Sequence, residues 1–168
     1  ILNAKKENFL ISGGGHSMAA GLKINFSNIE NFKNYLEKSL SLYPKNLFDR
    51  IDYFDSVITP NELNLDLING IEQLQPFGKG NPEPVFILKD VNIDSIKIIK
   101  NKHILIFFEN DIGDKIKGIC FNSNKTILGD YLEKHNQYKF YFSCTVTIDK
   151  FAPEPLPQII IRDIMKID

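Results

Sequence analysis

Cysteine is scarce: only Cys120 and Cys144 occur in 168 residues. Both lie in apolar, strand-like runs without metal-ligand spacing. That excludes a disulfide-built scaffold and predicts two buried free thiols in a cytoplasmic protein. No apolar run approaches the roughly 20 residues of a membrane helix, and no signal peptide opens the chain. Charge of one sign is not in excess: 20 Lys and Arg stand against 21 Asp and Glu, a net charge of −1. A surface that grips nucleic acid everywhere is thereby excluded, and such binding needs a local patch. Carboxylates are scattered too. No Asp-His-His and no Asp-x-Asp occurs, and Asp49, Asp52 and Asp55 read as solvated surface. Metal-assisted hydrolysis needs carboxylates and imidazoles clustered around its ions. No metal ligand is therefore expected here, and the chain alone is expected to be catalytically inactive.

What is present is the composition of a soluble globular protein, 43% hydrophobic and 24% charged. The chain begins at Ile1 without a start methionine and reads as a piece of a longer polypeptide, starting inside a domain. Gly13-Gly14-Gly15-His16-Ser17-Met18-Ala19-Ala20-Gly21 then combines glycines, a histidine and a serine with small helix formers. Glycine lets the backbone approach a ligand closely. A helix starting here would offer unpaired N–H groups and the positive dipole end to a phosphate. His16 would stand at its mouth as a donor or cation, with Ser17 as a second contact. The stretch would serve equally as a tight strand-to-helix turn whose glycines matter only for packing.

Gly21 to Phe26 alternates as a half-buried strand does. Ser27 and Glu30 fit a capping box, and Ile29, Phe32, Leu36 and Leu40 follow at helical spacing up to Pro44. Tyr53 to Ile58 predicts a strand. Thr59-Pro60-Asn61-Glu62 predicts a second capping box, opening a helix lined by Leu63, Leu67, Ile71 and Leu74. Residues 74–86, LQPFGKGNPEPVF, break every period with three prolines and two glycines and make a stiff, shaped connector. From Val85 onward the texture is strands: a first after the connector, then 103–108, 115–121, a strictly alternating 138–148, and a last one carrying Ile159 and Ile161. Ile127, Leu128, Tyr131 and Leu132 mark a helix between the third and fourth strands. Five strands so interrupted are the arrangement of an OB-fold barrel.

Two of these stretches resemble family motifs. GGGHSMAAG is similar to the signature of the DHHA1 domain of the DHH phosphoesterase superfamily. The segment LQPFGKGNPEPVF resembles the connector that follows DHHA1 in the RecJ family of 5′→3′ single-strand-specific exonucleases. Together they imply an α+β chain: part of a DHHA1 α/β domain over residues 1–74, the connector over 75–84, and a five-stranded OB-fold barrel over 85–168. The resemblance implies a bacterial, cytoplasmic, monomeric enzyme of DNA repair and recombination. It would use two Mn or Mg ions held on an N-terminal DHH domain that this chain lacks. This chain would then position single-stranded DNA. Gly13, Gly14, Gly15, His16 and Ser17 would hold a phosphate, with His16 supporting the chemistry. On the connector Phe77 and Lys79 are candidate strand contacts. On the barrel Tyr141 is the stacking candidate, with Lys139 beside it. Lys97, Lys100 and Lys102 form a basic run, while His103 and His135 read as structural or exposed. Two other readings stay open: a DHH phosphodiesterase of oligonucleotides or cyclic dinucleotides, and a non-catalytic single-strand binding module.

Overall fold

The alternation over residues 138–148 builds β8 (Lys139–Ile148), a ten-residue strand. Phe140, Phe142, Cys144 and Val146 are buried along it, Lys139 is exposed and Tyr141 half-buried. Thr145, expected on the polar face, is also buried. In the computed structural model, residues 1–49 and 51–167 are described. The chain divides into two compact units, Ile1–Ile51 and Asp52–Asp168.

In the first unit, α1 (Leu2–Lys6) precedes a hairpin of β1 (Ser12–His16) and β2 (Ala19–Lys23), and α2 (Ile29–Leu40) follows. Its core is small: Ala4, Leu10 and Phe32, with Ile1, Phe9, Ile24, Tyr35 and Leu36 packed around them. The Phe9 and Tyr35 rings lie 4.8 Å apart. The expected helix at 29–40 forms, but its expected capping box does not. A 3-10 turn occupies Phe26–Asn28, Asn28 becomes the N-cap, and no side chain caps it.

The second unit is built on one sheet in the order β3-β4-β8-β9-β7-β6-β5. Its further strands are β3 (Ser56–Ile58), β4 (Phe86–Leu88), β5 (Ile93–Ile99), β6 (His103–Glu109), β7 (Lys115–Cys120) and β9 (Pro157–Ile167), with α3 (Leu65–Glu72) and α4 (Ile127–Glu133). The sheet thus has seven strands where five were expected. Two departures explain the difference. The first barrel strand is divided into β4 and β5 at Lys89–Asn92, where Asp90 takes φ 57°. In addition, β3 joins the sheet edge, parallel to β4. β3 and α3 share their core with the sheet, and the compact units divide at Ile51/Asp52.

The sheet is curled. Five interstrand steps separate β4 from β5 in the sheet order, about 24 Å if flat. The five Cα steps from Leu88 to Ile93 span about 17 Å at full stretch. Only a sheet bent toward closure satisfies both. Its inside holds Leu88, Ile104, Ile106, Phe108, Ile116, Phe142 and Ile159. Gly118 belongs there because a Cβ would stand 2.7 Å from Ile106 Cγ1 and 3.1 Å from Ile159 Cγ1.

The capping box at Thr59 forms as expected. The Glu62 carboxylate accepts from the Thr59 amide at 2.7 Å and its hydroxyl at 2.9 Å. It closes a 3-10 turn, Pro60–Glu62, rather than opening the helix. Asn64, which accepts from the Leu67 amide at 2.9 Å, caps α3 instead. Leu63, Ile68 and Ile71 are buried, whereas Leu74 is 54% exposed and off the expected face.

Gly118→Ala is expected to destabilise the second unit by about 1–3 kcal/mol through overpacking. Urea denaturation at unchanged m-value measures this, and an unchanged midpoint would contradict the packing account. The Thr59 amide and hydroxyl hold the Glu62 carboxyl below its ordinary 4.5. A carboxyl whose folded value is lowered stabilises above its unfolded value and loses that contribution as pH falls through the folded one. Glu62→Gln should therefore flatten stability against pH below about 4.5. Parallel curves for the two proteins would refute the assignment.

Candidate nucleic-acid interface

The glycine stretch is a β-hairpin, not a turn into a helix. Three consecutive glycines are poor helix formers, and here they pair across a hairpin: Gly13 opposite Leu22, Gly14 opposite Gly21, Gly15 opposite Ala20. At Gly15 a Cβ would meet the Ala19 carbonyl at 2.5 Å, so glycine is required by the strand pairing itself. At Gly14 nothing lies within 4 Å of that position. No helix starts from the motif itself, and Ser17 is in the turn. His16 ends β1, and its Nδ1 accepts the Met18 amide at 3.3 Å. The neutral ring then carries its proton on Nε2. Gly14, Gly15 and His16 line a shallow hollow of about 540 Å³ with Ile1, Leu2, Asn3 and Ala20. Gly13 is tucked against Ile1.

The connector is held down rather than free. Asn81 Nδ2 donates to the Leu74 carbonyl at 2.8 Å and the Pro76 carbonyl at 3.0 Å. Gly78 and Asn81 bridge each other, and Arg162 on β9 meets Glu83 at 3.4 Å. Asp55, expected to be solvated, accepts the Val85 amide at 2.8 Å. Phe77, expected as a strand contact, packs half-buried on the core, while Lys79 is exposed.

On the sheet, the outward side of β5, β6 and β7 interleaves aromatic, aliphatic and basic side chains. Ile104 and Ile106 point inward, so Lys97 pairs outward with Leu105, and Phe107 with Ser95 and Lys117. At one end β5 and β6 turn through Lys100 and Asn101, both in the left-handed region at φ 52° and 51°. They are the central residues of a tight turn closed by the Lys102 amide on the Ile99 carbonyl at 3.0 Å. The segment after β7 is fastened to that turn: Asn124 donates from Nδ2 to the Asn101 carbonyl at 2.9 Å and from its amide to the Lys102 carbonyl at 3.2 Å. Lys125 follows. The His103 ring stands edge-on to Phe121 at 5.3 Å, and its Nδ1 accepts the Asn122 amide at 3.0 Å. Phe121 is 51% exposed. Exposed lysines beside an exposed ring are what a single strand requires, phosphates on the cations and a base on the π-face.

Lys100 and Lys102 are thus brought together. Lys139 and Tyr141 are not brought to them: β9 and β7 stand between β8 and β6 in the sheet. They line a separate hollow of about 410 Å³ with Asp90, Val91, Asn92, Phe140 and Ile167. His135 is structural, its Nδ1 lying 3.1 Å from the Leu132 carbonyl. Phe121, Lys125 and Phe107 escaped the sequence reading because each sits in or beside an apolar run that looked buried on both sides. Burial raises both thiols, Cys144 to about 12, so neither is a nucleophile near neutrality. Among the described residues, no three His, Cys, Asp or Glu side chains gather as metal ligands.

Comparison with known proteins agrees with this geometry. The single-stranded-DNA-specific exonuclease RecJ of Haemophilus influenzae is 25% identical over 170 residues, 99% of this chain and 29% of that protein. The chain thus spans less than a third of that relative. The crystal structure of Thermus thermophilus RecJ in complex with Mn2+ superposes with a TM-score of 0.65 at 17% identity, covering 97% of this chain and 23% of that one. The Mg2+ complex gives 0.64 at 18% identity, covering 99% and 25%. These likenesses show the shared fold. The family model described as the RecJ OB domain matches residues 54–163, which is most of the chain and nearly all of the second unit, so the chain belongs to the RecJ OB domain family.

Proposed function

We propose that this chain is the strand-positioning part of a RecJ-like, metal-dependent 5′→3′ exonuclease for single-stranded DNA, serving repair and recombination as a cytoplasmic monomer. The observation that carries this reading is the outward side of β5–β6–β7. It combines Lys97, Phe107, Lys100, Lys102, Lys125 and Phe121 on a family-matched OB domain. Such a face binds oligonucleotides by stacking and phosphate neutralisation. Single strands are favoured because their bases are free to leave the helix and meet Phe107 and Phe121. Lys139 and Tyr141 would extend the track on a second patch.

The metals named with the Thermus structures would belong to a DHH domain elsewhere in the longer polypeptide. No step through them is assigned to these residues. Residues of the first unit would meet the strand end: Gly14 leaves room for a phosphate, and His16 Nε2–H would donate to its oxygen. Exposed Leu2, Met18 and Phe26 and the small core of that unit suit a surface completed by another domain.

Replacing Lys97, Lys100, Lys102 and Lys125 together by Gln should weaken oligothymidylate binding. It should also reduce the slope of log K against log salt by about 0.7 for each phosphate that is no longer neutralised. An unchanged slope would sink the interface. In the longer polypeptide carrying the DHH domain, His16→Ala is expected to lower kcat on a 5′-labelled single strand while the Mn2+ concentration for half activity stays put. Unaltered kcat removes His16 from the site. Strand binding without hydrolysis by that polypeptide would favour the non-catalytic module.

A further inference from the structure

The loop between β8 and β9, residues 149–156, is fastened at its base and bare at its tip. Asp149 is 9% exposed and ion-paired with Lys117 of β7. Its Oδ1 accepts the Phe151 amide at 3.0 Å, its own amide donates to the Leu156 carbonyl at 2.8 Å, and its carbonyl accepts from Ala152 at 3.4 Å. Burial alone would raise this carboxyl. The Lys117 hydrogen bond, the Phe151 amide and the Lys117 charge outweigh it and hold the group below its ordinary 3.8. Pro153, Pro155 and Pro157 fix φ along the returning limb. From this braced loop Phe151 projects 95% exposed.

A lone exposed phenylalanine needs no explanation. One raised on a loop whose base is a buried ion pair is different, because the bracing does nothing for the core and holds the ring where it touches little. The location matters as well. Lys117 points outward beside Phe107, so the loop is hung from the side of β7 that carries the candidate strand contacts. Lys117 itself is neutralised by Asp149 and holds the loop rather than a phosphate.

We propose that Phe151 is a base-stacking contact for a single strand lying on β5–β6–β7, and that Asp149 is a positioning residue holding it there through Lys117. The proposal rests on the single-strand reading above. The chain contains no tryptophan, so Phe151→Trp places one indole at the loop tip. Titration of the full chain with oligothymidylate would follow indole fluorescence, with the anisotropy of a labelled oligonucleotide read in parallel. The indole should quench with the same saturation as the anisotropy, and Phe151→Ala should weaken binding about tenfold. Added to Phe151→Trp, Asp149→Asn should diminish the quench, and Asp149→Glu should restore part of it. Phe151 packs against little, so its variants decide the matter even where Asp149→Asn costs stability. An anisotropy change without quenching overturns this inference and leaves the single-strand reading standing. No anisotropy change with any variant removes both.

Discussion

Everything the second unit can offer a ligand depends on how short the link is between β4 and β5. Those strands pair with β8 and β6, far apart in the sheet order, yet four residues join them. The constraint is met by curling the sheet, and curling separates its two sides. Inward positions fill with large aliphatic and aromatic side chains, and Gly118 is needed where Ile106 and Ile159 crowd the strand. Outward positions on β5–β6–β7 are left half-covered. A fold of this kind need not evolve a cleft for an elongated ligand, because the curvature itself supplies a face and the hairpin turns supply its rims.

The elements that rest on strong local chemistry were legible in the sequence. The Thr59–Glu62 capping box, the helix at 29–40 and the alternation along β8 all follow from periodicity and short-range hydrogen bonding. Apart from the capping box at Ser27, which a 3-10 turn displaces, what failed depended on pairing between distant segments. Gly13-Gly14-Gly15 looked like a loop because the glycines lack side chains to signal a strand. Only their close fit against Ala19 to Leu22 makes them one. The three residues of β3 looked like part of an N-terminal layer, since nothing local reveals that they pair with β4.

The candidate site was legible where charge marks it and hidden where aromatic residues do. Lys100 and Lys102 stand out in any reading. Phe107 and Phe121 do not, because a run such as His103 to Phe108 is apolar at nearly every position and gives no sign of which face is covered. Phe77 is the converse case. An aromatic ring among glycines and prolines invites a ligand role, but a connector pinned by Asn81 and Glu83 turns that ring onto the core.

A chain with almost no net charge can still hold a polyanion if its cations are sorted. Here several are neutralised locally: Lys115 by Glu109, Lys89 by Asp90, Arg162 by Glu83 and Lys117 by Asp149. Lys97, Lys100, Lys102 and Lys125 have no carboxylate at ion-pair distance among the described residues. A field from so few charges is screened within about 8 Å at physiological salt. It cannot dominate binding as it does on a basic DNA-binding surface. If the proposed interface holds, the larger share would come from stacking, which duplex DNA denies because its bases are already stacked on one another. On the proposed reading, weak electrostatics combined with exposed rings would give a preference for single strands without any group that rejects a duplex.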